Sequence, residues 1–208
     1  MSAVSETIVH EFFELHGFFV RQQRKFVAPN QREDEEIDFF VWNPRPQTAE
    51  GRLPFVLAST DLSRIARAVV VVKGWHTETF SPAFLANAPE IFRFLESAVF
   101  QQAVKVFGKD GPVVKILVMP ALPHHAEARD QSIALLQSKG IDAVLPFRTL
   151  LAVLIDQTEI NRNYQKSDLR QIIRILKNYG FFKEPQLELF KPRRRRQARP
   201  SVILPVAE

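Results

Sequence analysis

Apolar positions recur along this chain with two different periods. From Ala3 to His16, Val4, Ile8, Val9, Phe12, Phe13 and Leu15 fill one broad sector at about 100° per residue, and Gly17 follows as a stop, which predicts an amphipathic helix. Phe18–Phe26 reads as a strand whose second half, Arg21-Gln22-Gln23-Arg24-Lys25, is polar and basic. An acidic stretch, Glu33–Glu36, leads into a strand over Ile37–Trp42, which Asn43-Pro44-Arg45-Pro46 ends because proline donates nothing to a ladder. Residues 44–66 have no clear period and read as a long excursion. The β-branched run Ala68–Lys73 predicts a buried strand. After Ser81-Pro82 one long helix is expected through Phe107, with Phe84, Leu85, Ile91, Phe94, Leu95 and Val99 as its apolar positions. A strand over Val113–Met119, a helix over Arg129–Ser138 stopped by Gly140, and a short strand over Asp142–Leu145 complete the order α-β-β-β-α-β-α-β. That order predicts the α/β class, with a mixed central sheet flanked by helices. Two more helices follow, roughly 148–157 and 168–179, the second capped by Ser167 and stopped by Gly180. The expected division is a core over 1–147, a helical extension over 148–183 and a flexible tail over 184–208.

Composition narrows the picture. At 46% hydrophobic and 25% charged residues, the 208-residue chain has the makeup of an ordinary globular protein with one well-buried core. Its longest unbroken apolar run, Leu150–Ile155, is far short of the roughly 20 residues that span a bilayer, so no membrane helix is expected. Glu6 and Glu11 stand where a signal peptide would have a basic start and an apolar stretch, and a cytoplasmic location is the expectation. With no cysteine there are no disulfides and no thiolate metal ligands. The formal charge is +5, but residues 191–208 hold six bases and one acid, which leaves 22 of the 28 bases and 22 of the 23 acids for residues 1–190. The body is neutral and the surplus lies in the tail.

Two ionisable residues stand on strands that are otherwise apolar. Alternation puts Asp38 on one face with Phe40 and Trp42, leaving Ile37, Phe39 and Val41 on the other. On the next strand Lys73 shares a face with Val69 and Val71. Burying an unpaired charge costs several kcal/mol or more, so each needs a partner or a task. The residues alone leave a structural Asp38–Lys73 ion pair and a functional site both open.

The wider pattern bears on that choice. A helix containing Glu6, Gly17-Phe18 opening a strand with Arg21, Ile37-Asp38-Phe39-Phe40-Val41, and Val69-Val70-Val71-Val72-Lys73-Gly74 together resemble the PD-(D/E)XK nuclease superfamily. The likeness covers about residues 3–145 and is greatest to the Holliday-junction-resolvase and nuclease-related branches. It implies a restriction-endonuclease-like αβββαβ core in which a helix glutamate, a strand aspartate and an acid-x-lysine tripeptide surround one or two Mg²⁺ ions, with Mn²⁺ as a substitute. By position, the resemblance implies Asp38 and Glu6 as metal ligands, the latter 11 residues before Gly17, with Lys73 as the catalytic lysine and the Val72 carbonyl as a further ligand. Such chemistry is reasonable for phosphodiester hydrolysis: hard oxygen ligands hold Mg²⁺, the metal polarises the phosphoryl oxygen and generates hydroxide, and a lysine offsets developing charge. The helical wheel does not choose Glu6, because Glu6 and Glu11 sit about 20° outside opposite edges of the apolar sector. The tripeptide departs from the family pattern: Val71-Val72-Lys73 has valine, which has no lone pair, where the second acid belongs. Glu90 or Glu96 from the following helix are candidate replacements, and Glu78 is nearer in sequence but in an expected loop.

Other chemistry is thinly represented. His76 follows the lysine strand within reach of a phosphate, and His124-His125 have no third ligand at a recognisable spacing. No phosphate-binding glycine loop, Ser/His/Asp set or dinucleotide fingerprint is present. Candidate nucleic-acid contacts are Arg21, Arg24 and Lys25 on the first strand, Arg170, Arg174 and Lys177 at i, i+4 and i+7 of the last helix, and Arg193, Arg194, Arg195 and Arg196 in the tail. Just before that run, Gln186-Leu187-Glu188-Leu189-Phe190 resembles the pentapeptide with which bacterial DNA-processing proteins dock on the replicative sliding clamp, Leu189 and Phe190 filling an apolar pocket while Gln186 orients the peptide. The expected functions are therefore a Mg²⁺-dependent DNA endonuclease in repair, recombination or defence, a catalytically silent DNA- and clamp-binding adaptor, or a nuclease acting on RNA. For the clamp, a peptide covering residues 184–192 should bind a bacterial sliding clamp in a fluorescence-anisotropy titration and lose at least tenfold in affinity when Leu189 and Phe190 become alanine; equal affinity of the two peptides removes the clamp from the expected partners.

Overall fold

The β-branched run forms the middle of a sheet. The computed structural model describes residues 3–23, 37–48, 51–108 and 111–182. Among them are five strands: β1 (Phe19–Gln22), β2 (Phe39–Trp42), β3 (Arg67–Val72), β4 (Val114–Met119) and β5 (Ala143–Pro146), ordered across the sheet as they are in the chain. β2 runs antiparallel to β1 and β3, whereas β3, β4 and β5 are parallel, so the sheet is mixed. The parallel connections need crossovers, and helices supply them. α1 (Ala3–Leu15) and α5 (Phe147–Asp156) cover one face, where Val9, Phe12, Phe13, Leu150 and Leu154 pack on Val70 and Val72. α2 (Pro82–Ala86), α3 (Ser97–Phe107) and α4 (Ala126–Ser138) are on the other, where Leu85, Ala103 and Leu136 join Val69, Val71 and Leu117. This is an α/β protein with a mixed sheet between helical layers. No helix among the described residues is long and apolar enough to cross a membrane.

Three expectations need correction. The long helix over 82–107 is broken: α2 ends at Ala86, 3-10 turns occupy Pro89–Ile91 and Arg93–Leu95, and α3 starts at Ser97. Pro89 is the cause. It cannot donate a helical hydrogen bond, and it drives Ala88 out of the helical region, to φ −123° and ψ 66°. The apolar positions Leu85, Ile91, Phe94 and Val99 are nevertheless buried together, which is why their spacing imitates one helix.

The second correction concerns Ile37. It packs with Phe40, Val69 and Val71 instead of with Phe39 and Val41. The Asp38 amide donates to the Val70 carbonyl at 3.1 Å although Val70 already stands opposite Phe39, so two residues of this chain meet one of β3 and the alternation slips by one position. Third, the aperiodic excursion contributes to the sheet. Val56 forms a parallel bridge to Val144, with the Leu57 amide 3.0 Å from the Val144 carbonyl and the Val144 amide 2.7 Å from the Phe55 carbonyl. The excursion thereby covers the outer edge of β5.

α5 belongs to the central core, and α6 (Asp168–Asn178) closes over its end. Ser167 caps α6 by accepting from the Arg170 amide at 3.1 Å. In return, three cations of α6 satisfy carbonyls at and beyond the end of α5. Lys177 Nζ donates to Ile155 and Thr158 at 2.7 and 2.8 Å, Arg170 to Gln157 at 2.9 Å, and Arg174 to Ile160 at 3.0 Å. The Ile155 carbonyl also accepts from the Thr158 amide at 3.3 Å, and positive charge is favourable at a helix C-terminus. Lys177→Met, which keeps the stem and removes both donors, should lower unfolding free energy by about 1–2 kcal/mol in a urea titration; a midpoint equal to wild type shows that solvent replaces the lysine at no cost.

Candidate functional site

Four backbone ends meet beyond one margin of the sheet: the start of α1, the ends of β1 and β3, and the chain entering β2. Asp38 is 2% exposed and Lys73 8% exposed. The Asp38 Oδ2 accepts from the Val72 amide at 2.7 Å, where β2 no longer offers a backbone acceptor. The aspartate thus extends the antiparallel ladder with its side chain. On the other edge of β3 the Lys73 amide continues the parallel ladder by donating to Val118 at 2.9 Å. Lys73 Nζ lies 3.2 Å from the Glu90 carbonyl and 5.8 Å from the Trp75 ring centroid. Trp75 in turn packs against Phe80 and Phe84.

Glu6 and Glu11 are separated by the structure where the helical wheel could not separate them. The Glu6 Oε2 accepts from Gln22 Nε2 at 2.7 Å, and the amide of the next residue, Gln23, donates to the Asp38 carbonyl at 2.8 Å. Glu6 therefore belongs to the Asp38 end. Glu11 instead borders a polar groove with Glu14, Asn163 and Lys166.

Sequence reasoning passed over Ser5 and Gln22. Ser5 is buried and shares a 3.1 Å hydrogen bond with His76 Nε2, and the His76 ring stands edge-on to Phe147 with centroids 4.6 Å apart. Gly74 makes that approach feasible, since a Cβ there would collide with the Ser5 Oγ and stand 2.9 Å from its Cβ. One signal was readable: Ser5 precedes Ile8, Val9 and Phe12 by three, four and seven residues, so it is the polar member of the buried face. Gln22 carries no such signal, because its partner lies across the fold.

The remaining candidates scatter. Glu90 is half-buried in the 3-10 turn, Glu96 is the exposed residue before α3, and Glu78 is exposed in the turn after Trp75. His124 and His125 are exposed just before α4. Arg21 is exposed on β1. Arg170, Arg174 and Lys177 hold the carbonyls described above, and Arg170 also lies 4.2 Å from the Tyr164 ring centroid. Arg24, Lys25, Arg193, Arg194, Arg195, Arg196 and the peptide residues Gln186, Leu187, Leu189 and Phe190 lie outside the described residues.

Among the described residues the donor set falls short of the near-ideal octahedral oxygen coordination that Mg²⁺ demands. Val71 is fully buried in the apolar cluster under α3 and has no donor atom. One oxygen of Asp38 is spent on the Val72 amide and one of Glu6 on Gln22. Among the described residues no group of three or more His, Asp or Glu is arranged to hold a metal ion. Comparison with protein-family models, with curated proteins and with solved structures gave no match.

The geometry separates an acceptor role for Asp38 from a charge role. Asp38→Ala leaves the buried Val72 amide unpaired and should cost about 2 kcal/mol or more of stability, whereas Asp38→Asn keeps an oxygen acceptor and should cost less. Equal losses in chemical denaturation would show that the hydrogen bond to Val72 is not what Asp38 contributes.

Proposed function

We propose that this chain is a nucleic-acid-binding protein on a PD-(D/E)XK-like αβββαβ core whose Asp38–Lys73 end has been turned from phosphodiester hydrolysis to structure. The observation that carries the reading is the side chain of Val71, sealed in the apolar core at the position where the resembled family has its second acid. The element order from α1 through β4 supports the core, as does the gathering of Glu6, Asp38 and Lys73 at one margin of the sheet. The arginine run supports nucleic acid as the ligand, since a cluster of cations releases counterions from a phosphate backbone. A sliding clamp is the partner suggested by Gln186–Phe190.

One observation favours a second reading, metal-dependent cleavage with a relocated acid. Lys73 Nζ reaches the Glu90 carbonyl, so the lysine and one of the candidate replacement acids are neighbours.

A single assay decides between the two. Purified protein incubated with single-stranded, branched and duplex DNA and with RNA should bind at low salt, lose affinity steeply as salt rises, and leave every substrate intact in Mg²⁺ or Mn²⁺. Cleavage that vanishes in Asp38→Asn and Glu90→Gln establishes the second reading. Failure to bind any nucleic acid ends the first.

A further inference from the structure

The opposite margin of the sheet is built differently. There Phe19 of β1 pairs with Trp42 of β2, their ring centroids 5.6 Å apart and their planes inclined by 33°. Both are open to solvent, 62% and 48% exposed. Single exposed apolar side chains are ordinary, but two large rings exposed side by side on the edge strand and its neighbour are the kind of patch that marks a binding surface.

Charge identifies what would sit on it. Residues 15–21, 40–48, 62–69 and 97–108, which include this margin and the helix over it, contain no aspartate or glutamate, whereas they include Arg21, Arg45, Arg64, Arg67 and Lys105. Arg21 follows Phe19 by two residues on the same face of β1, and Arg45 follows Trp42 by three; both are exposed. Among the described residues neither guanidinium makes a hydrogen bond or ion pair, while Arg64 holds the Gly51 carbonyl at 2.6 Å and Arg67 the Phe107 carbonyl at 3.1 Å. The neutral body thus conceals a local excess of cations around two flat rings.

We propose that Phe19 and Trp42, flanked by Arg21 and Arg45, form a stacking platform for single-stranded nucleic acid. The rings offer π faces that any base can use, and the guanidinium groups meet the phosphates between bases. Duplex DNA does not present its base faces, so the platform selects unpaired strands. A second copy adding along β1 in the register that sets Arg21 opposite Arg21 would meet a like-charge pairing. For its ligand class this inference rests on the function proposed above, but it needs neither metal nor the Asp38 end.

Full-length protein carrying Trp75→Phe leaves Trp42 as the sole tryptophan of the two in the chain. Titrated with oligothymidylate in EDTA at low salt, its fluorescence should be quenched to saturation. Phe19→Ala in that background should weaken the fitted affinity about tenfold or more. The pair Arg21→Gln and Arg45→Gln, which leaves both rings in place, should weaken it comparably and flatten the salt dependence. Circular dichroism should be unchanged in each variant because all four side chains are on the surface.

Oligothymidylate that binds by gel shift with Trp42 fluorescence unmoved, and with equal affinity in Trp42→Ala, overturns the platform and leaves binding to the rest of the chain. The same is true if sedimentation shows a dimer that Phe19→Ala dissociates while oligothymidylate has no effect on Trp42; the rings then serve a second copy. Absence of binding to every nucleic acid removes the proposed function as well, so the two failures are distinguishable.

Discussion

Where β2 stops pairing, β3 runs on towards Lys73, and the amide of Val72 would face an apolar surround. The carboxylate of Asp38 takes that amide at 2.7 Å. Burying a carboxylate costs several kcal/mol, so the arrangement persists only because the charge is answered by hydrogen bonds that are shorter and stronger than neutral ones. Much of the surrounding geometry depends on it. Reaching Val72 requires the extra residue opposite Val70, and that slip moves Ile37 into the core under α3. One residue beyond Val72, Lys73 places its Nζ 3.2 Å from the Glu90 carbonyl. That carbonyl is available because Pro89 breaks the helix before it can be used internally.

The same economy of backbone groups governs the C-terminal pair of helices. A helix end leaves carbonyls without partners, and α5 ends against α6 rather than in open solvent. Arg170, Arg174 and Lys177 are therefore drawn inward as donors, while Ile172, Ile175 and Tyr179 are left exposed. A helical wheel reads that pattern as a cationic surface stripe. The wheel knows the period of α6 but not that a neighbouring helix terminates beneath it.

This difference explains what the chain discloses in advance. Strands and caps were legible because their signals are local: the run Val69–Val72, the Ser167 cap and the Gly180 stop each depend on nearby residues. Asp38 and Lys73 were legible as charges out of place on apolar strands. The broken helix was a local fact misread, since Pro89 was visible but the apolar spacing over 82–107 outweighed it. The slip at Asp38, the bridge from Val56 to Val144, and the Gln22–Glu6 and Ser5–His76 contacts were not legible. Each joins residues far apart in the chain, and no period in either partner announces the other.

The two margins of the sheet also differ in what they have left to offer. A polar group already bonded inside the fold can bind a ligand only by giving up that bond, so its net contribution is the difference between two similar energies. At the Asp38 margin the groups that resemble a catalytic set are engaged: Asp38 with Val72, Glu6 with Gln22, Lys73 with Glu90. At the Phe19–Trp42 margin the rings and the guanidinium groups of Arg21 and Arg45 stand in solvent. Likeness of residue type favours the first margin as the place of recognition, whereas free energy favours the second.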